Sequence, residues 1–209
     1  MHCDTTKGYL VGFNCSITVK VNTKEIHSLI KNLQEENQTI ISFGDVILHA
    51  ICQNIKKFPE FNSFFEGDIT FHQHVNLSYS INLGQGPQKM VVVDADNKSL
   101  VELSSEIKHL ALKYIHGELS NQEDGTFSVI NLSQFNSYVI ITPIFSKQSA
   151  LISIASEQES FNLSNGNIIP VKEFNLSLSY DVRVADCQKA LQFLNAIKSS
   201  LESKKIKLS

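Results

Sequence analysis

Between Phe174 and Tyr180 the chain alternates without a break. Phe174, Leu176, Leu178 and Tyr180 are apolar, and Asn175, Ser177 and Ser179 between them are polar. Of the regular structures only a β-strand has a side-chain period of two, so this segment belongs in a sheet with one buried and one polar face. A buried face needs a covering layer, and the next residues supply it. Asp186 can cap a last helix in which Ala190, Phe193, Leu194, Ile197 and Leu201 recur at helical spacing.

The rest of the chain extends both layers. Residues 9–21, rich in β-branched and aromatic side chains, read as a strand. Asn22 with Glu25 reads as a capping box, ahead of Ile26, Leu29, Ile30 and Leu33. Ser42 with Asp45 repeats the signal, ahead of Val46, Ile47, Ala50, Ile51 and Ile55; this helix must close before Pro59. Residues 69–83 read as extended, with Gly84 and Gly86-Pro87 as a turn, and 90–93 as a short buried strand. Ser99 caps a third helix bearing Leu103, Ile107, Leu110 and Tyr114, with Gly117 past its end. Strands are predicted at 126–132, 139–144 and 150–155. The class is α+β, a large mixed sheet covered by helices.

Composition bounds the function. With 209 residues, 42% of them hydrophobic and 19% charged, the chain can bury a real core. Nine glycines, four prolines and no linker-like stretch predict a single domain over 1–209, with 1–8 as an extended arm. A net charge of −3 and a pI near 6.2 leave no dominant basic face, so neither nucleic acid nor an anionic membrane is expected as a partner. No apolar run reaches the ~18 residues of a membrane span, and the N-terminus has no signal pattern. Cys3, Cys15, Cys52 and Cys187 show no C-x-x-C spacing, which predicts reduced thiols and no zinc site. The expected compartment is cytoplasmic, or the mitochondrial matrix for a processed eukaryotic chain.

Five segments, in order, carry a family likeness. They are Phe58-Pro59-Glu60-Phe61-Asn62, Asp94-Ala95-Asp96-Asn97-Lys98-Ser99-Leu100, Gly125-Thr126-Phe127-Ser128-Val129-Ile130-Asn131-Leu132, Thr142-Pro143-Ile144 and Tyr180-Asp181-Val182-Arg183-Val184-Ala185-Asp186-Cys187. The chain from about residue 10 onward resembles the acyltransferase core of 2-oxo acid dehydrogenase complexes, whose fold chloramphenicol acetyltransferase shares. The resemblance implies a trimer-forming two-layer sandwich. It implies a site between subunits that passes an acyl group between a dihydrolipoyl thiol and coenzyme A. The family's last motif is Asp-His-Arg-x-x-Asp-Gly, in which the His is general base and the Asp pairs with the Arg. Its Gly-Thr-Phe-Thr-Ile-Ser segment ends in a Ser that donates to the tetrahedral oxyanion.

On that pattern the His position is Val182 and the Ser position is Ile130, while Asp181, Arg183 and Asp186 remain and Cys187 replaces the Gly. Loss of a general base costs ~10²–10⁴ in rate and loss of one oxyanion donor ~10²–10³. The resemblance thus implies a degenerate site, kept for assembly or for binding a coenzyme A, lipoyl or phosphopantetheine thiol. Accessory core subunits of pyruvate dehydrogenase complexes, which lack the motif His, are the family precedent. A homotrimer, or a mixed trimer with an active acyltransferase, is the implied state, with an acyl-carrier or lipoyl domain as a further partner. The family's lipoyl and subunit-binding domains have no counterpart in the sequence. A working acyltransferase, or another enzyme with a different base in the same tunnel, is the alternative.

The weaker candidates each have two readings. Ser128, two positions from Ile130 on the same strand face, is a displaced oxyanion donor or a structural serine. Cys187 is a nucleophile at a helix start, where the dipole favours a thiolate, or a small buried residue in a glycine's slot. His72 and His74, on one face of an expected strand, form a metal pair, a displaced base or a solvated face. His109 and His116 suit a helix surface, and Lys204, Lys205 and Lys207 a solvated tail or a phosphate contact.

Overall fold

A computed structural model describes residues 13–37, 40–82, 87–118, 123–164 and 166–204. The chain order is β1 (Asn14–Asn22), α1 (Lys24–Asn37), α2 (Phe43–Ile55), β2 (Ser63–Glu66), β3 (Asp68–Phe71), β4 (Leu77–Asn82), β5 (Pro87–Val92), α3 (Leu100–Ile115), β6 (Phe127–Asn131), β7 (Ala150–Ile154), β8 (Gln158–Ser164), β9 (Asn167–Asp181) and α4 (Cys187–Leu201). The main sheet runs β1-β9-β7-β6-β4-β5, with β8 also paired to β9; β2 and β3 form a separate hairpin. β4, β6 and β7 are mutually parallel and the other pairings antiparallel, so the sheet is mixed as predicted.

The apolar set of β9 packs where its alternation places it. Phe174, Leu176, Leu178 and Tyr180 are at most 2% exposed. The stripe of α4 lies over this face: Ala190, Phe193, Leu194, Ile197 and Leu201 are all fully buried, and the Phe193 ring stacks on Phe61 at 4.7 Å. Each such Phe, Leu or Ile contributes ~1.5–3 kcal/mol by leaving water. Asp186 caps α4 by accepting from the Lys189 N–H at 2.7 Å. Ser42 and Asp45 form the full reciprocal box at α2, as Ser99 and Glu102 do at α3. Gly117, at φ +73°, follows α3 in the left-handed region that glycine enters at no steric cost.

Four expectations need correction. The polar face of β9 is buried too. Its hydroxyls pair across the ladder, Ser16 with Ser179 at 3.0 Å and Thr18 with Ser177 at 2.8 Å, and Asn175 donates to the Tyr138 carbonyl. The stretch after Tyr138 is irregular through 139–144, where a strand was expected. Val139 and Ile141 are exposed there and find no ladder partner, so their β-branching has no pleated surface to pack on. Residues 69–83 are interrupted between β3 and β4, because Asn62 captures the backbone there. Finally, Asn22 accepts from the Lys24 N–H, but its own N–H goes to Glu202, the residue after α4, rather than to Glu25. A tertiary partner replaces the local box.

The strands β2 and β8 and the first half of β9 went unread. The expected arm at 1–8, the Gly84 and Gly86 turn residues and the Lys205 and Lys207 tail lie outside the described residues. Among the described residues, no helix is long and apolar enough to cross a membrane.

Candidate functional site

The loop after β9 is held by one charged pair. The guanidinium of Arg183 donates from Nε to both Asp181 carboxylate oxygens, at 3.0 and 3.1 Å, and from NH2 to Oδ2 at 2.5 Å. The Arg183 backbone N–H also donates to Asp181 Oδ1 at 2.9 Å. Such bidentate, charge-assisted contacts are short and directional, and they hold the Arg183 proton more firmly than usual. Phe13 and Phe65 sandwich the guanidinium, with ring centroids 4.1 and 4.5 Å from Cζ. Val182, between the two charged residues, is half-buried against the core, and its N–H donates to the Phe13 carbonyl. The loop therefore keeps its geometry around an aliphatic side chain with no proton to exchange.

Ile130 sits on a different wall. It lines a cavity of about 810 Å³ on the polar side of the sheet, bounded by β4, β6 and residues 145–148. Ser78 lies opposite Ser128, and Ser80 opposite Ile130, in the parallel ladder of β4 and β6. Ser128 and Gln148 line the cavity nearly fully buried, yet Ser128 Oγ and Gln148 Oε1 have no hydrogen-bond partner. Buried polar atoms are rarely left so, because each forfeits the hydration it had in the unfolded chain. The Gln148 amide is anchored on its other side, donating to the Gly125 carbonyl at 2.7 Å. Gly125 itself is required by contact, since a Cβ there would lie 2.4 Å from Ser78 Cβ. Val182 is not among the lining residues. Within one chain Val182 and Ile130 thus face different spaces.

The two histidines separate. His72 and His74 lie in the irregular segment between β3 and β4, not on a strand. His72 lines the cavity, and its Nε2 contacts the Lys147 carbonyl at 3.1 Å. His74 instead meets Asp94 at 3.2 Å on the surface. Among the described residues no three His, Cys, Asp or Glu side chains gather as metal ligands. Cys187 is exposed at the start of α4, against the reading of a small buried residue. Its sulfur engages the Tyr180 phenol, and burial together with neighbouring thiols pushes that phenol up to about 12.

Three features of the site went unread in the sequence. Asn62, in the Phe-Pro-x-x-Asn segment, clamps 72–74: its carbonyl accepts from the His72 N–H, and its amide reaches the His72 and His74 carbonyls at 3.5 and 3.0 Å. Lys147 holds φ at +56°, an uncommon conformation for a side chain of this kind. Gln148 has no motif to announce it. Only Asn62 carried a local signal, through its segment.

Comparison with known proteins agrees with this architecture. Residues 13–208 match the family model of the 2-oxoacid dehydrogenases acyltransferase catalytic domain. The dihydrolipoyllysine-residue succinyltransferase component of the 2-oxoglutarate dehydrogenase complex of Buchnera aphidicola is 30% identical over 191 residues, covering 88% of this chain and 48% of that protein. The chain therefore spans about half the length of this curated relative. A probable dihydrolipoamide acetyltransferase of Listeria monocytogenes superposes with a TM-score of 0.85 at 29% identity, covering 93% of this chain and 85% of the other. Chloramphenicol acetyltransferase superposes at 0.63 and 13% identity, over 91% of this chain and 89% of the other, a likeness of fold. This chain belongs to the 2-oxoacid dehydrogenase acyltransferase family and has the fold of its catalytic domain.

Proposed function

We propose that this chain is an acyltransferase-core homologue whose family chemistry has lapsed. It serves a 2-oxo acid dehydrogenase-type assembly, cytoplasmic or in the matrix, as a structural or carrier-binding subunit. One observation carries the reading. The Asp181–Arg183 pair holds the loop around Val182, and Ile130, which the resemblance sets at the donor position, lines the cavity. Valine and isoleucine can neither take a proton nor donate to an oxyanion, so even one of the two losses removes at least ~10²-fold in rate.

An assembly role is supported by the hairpin of β8 and β9. Phe161, Leu163 and Ile168 are 68%, 77% and 72% exposed on it. Apolar side chains clustered this way favour burial against another subunit. The reading takes this to be a trimer, either of three copies or mixed with an active acyltransferase. Since the chain lacks both groups, one copy in a mixed trimer removes two of three interfacial sites.

The test is native mass together with transfer of acetyl between coenzyme A and dihydrolipoamide. The expected result is an oligomer with no transfer above background, and recovery only when Val182→His and Ile130→Ser are combined. Transfer by the unaltered chain would overturn the reading. A second reading, an enzyme with a different base, is favoured by the unpartnered polar groups around Ile130. In that reading the cavity still receives an acyl ligand.

A further inference from the structure

We infer that His27 and Glu157 form a pH-sensitive clamp at the root of the β8–β9 hairpin, closed on the acid side of neutrality and loosened as pH rises. Its consequence for assembly rests on the reading that this hairpin buries its apolar side chains against another subunit. The ladder between β1 and β9 ends at the pair of Asn22 and Glu173. From Lys172 outward, among the described residues, β9 is laddered to β8 alone. A two-stranded hairpin is marginally stable by itself, so its attachment to the body is decided at the root.

The two strands are attached differently. On the β9 side the Lys172 carbonyl accepts from the Thr23 N–H at 3.0 Å and from the Thr23 hydroxyl at 3.1 Å, contacts that carry no titrating group. Glu173 meets Lys20 at 3.4 Å. On the β8 side the Ser156 N–H donates to the Ser137 carbonyl at 2.9 Å. Glu157, the residue before β8, reaches across to α1, where its Oε1 lies 2.7 Å from His27 Nε2. The β8 strand is therefore tied to a helix through an imidazole, the side chain whose charge changes between pH 5 and 8.

The surroundings hold the imidazole in place. Its ring stacks on Phe43 at 5.5 Å, and Phe43 meets Phe174 of the core edge-on. The charged groups around it are Glu157 and Lys172 on the hairpin and Lys24 and Lys31 one turn away on its own helix; α2 presents the Phe43 ring. Lys31 is engaged with Glu35 at 3.9 Å. Glu157 directs its second oxygen at Lys172, 3.9 Å away, so a protonated His27 places one carboxylate between two cations. Burial by itself would raise the Glu157 carboxyl. The Thr23 and His27 hydrogen bonds and the charges of His27 and Lys172 outweigh it and hold the carboxyl below the usual carboxylate range. Glu157 is thus anionic while His27 titrates. A neutral His27 offers one N–H, and protonation turns the same contact into a charge-assisted one. The His27 side chain is 49% exposed, so the gain is that of a surface pair, up to about fivefold in the hairpin's opening equilibrium.

The experiment is amide hydrogen exchange of the full chain between pH 5.5 and 8, corrected for the intrinsic pH dependence of exchange and read over residues 157–172. The expected result is protection that falls up to about fivefold across this range. His27→Gln, which keeps an N–H donor without the charge, and Glu157→Gln hold protection at the weaker level at every pH. His27→Arg holds it at the stronger level. His109→Gln, on α3, leaves the pH response intact. Protection of α2 in the same data checks that each variant is folded. Protection that is flat with pH in the unaltered chain, or a pH response that survives His27→Gln, overturns the clamp. Native mass at pH 5.5 and 8 tests its consequence. A larger oligomeric share at pH 5.5, levelled by His27→Gln, supports it. An oligomer whose share ignores pH overturns that consequence and keeps the assembly reading. A chain that is monomeric at both pH values overturns the assembly reading, and the exchange data still judge the clamp.

Discussion

Asp181, in the motif loop, has both carboxylate oxygens engaged by Arg183, whereas Ser128, on the cavity wall, keeps a buried hydroxyl with nothing to bond. The loop is satisfied throughout and has no reactive group left. The wall has unsatisfied polar groups next to the apolar Ile130. The difference separates two meanings of a retained residue. A group whose valences are filled by its own chain is there for geometry. A buried group with an open valence costs stability, and that cost persists only where something else offsets it.

Substitutions sharpen this contrast, the largest effect coming from the contact that closes the wall. Gly125→Ala puts a Cβ 2.4 Å from Ser78 Cβ, which forces backbone to move in β4 or in the segment ahead of β6. A loss of about 3 kcal/mol or more is expected in urea unfolding, at the upper end for overpacking. A loss under 1 kcal/mol would show that the wall yields easily and that its orphaned groups are not held in place. Asp181→Ala comes next. It leaves a partly exposed guanidinium without its carboxylate, and solvent screening reduces the cost to about 2 kcal/mol. If the loop were instead held by the Phe13 and Phe65 sandwich alone, this variant would be nearly neutral.

The pH dependence provides a third test, at a buried group outside both regions. His49 of α2 is 2% exposed with Nε2 unpartnered, and burial holds its pKa below the ordinary 6.5, against a hydrogen bond to the Lys98 backbone. The unfolded chain therefore binds this proton more readily than the folded one. Its contribution is complete above pH 6.5 and is lost as pH falls from there through the lowered folded value. Thermal unfolding between pH 5 and 7 should show a lower Tm at acid pH, and His49→Leu should flatten that slope. The smallest effect is expected at Ser128→Ala. Removing an unpartnered buried hydroxyl changes stability by less than about 0.5 kcal/mol, or raises it. A loss above 1 kcal/mol would mean the hydroxyl is bonded in solution, and the contrast with Asp181 would disappear.

Much of the fold was legible because its signals are local. Alternation over Phe174–Tyr180, the helical stripe of α4 and the Ser42 box are each set within a dozen residues by strand and helix periods. The five family segments placed Val182 and Ile130 from residue order alone. The site was less legible. That His72 lines the cavity while His74, two residues on, turns to Asp94 depends on Asn62 and on a carbonyl 75 residues away at Lys147.

The sequence by itself determined a helix-covered sheet, the family motifs and the absence of a proton-transferring residue at position 182. Periodicity and residue identity suffice for these. Tertiary structure alone decided that the polar face of β9 is covered, that 139–144 runs without a ladder, that Glu202 takes the N–H left by Asn22, and that Val182 and Ile130 face different spaces. Each of these depends on which distant backbone or side-chain group fills a hydrogen bond or a gap, and that pairing has no period along the chain.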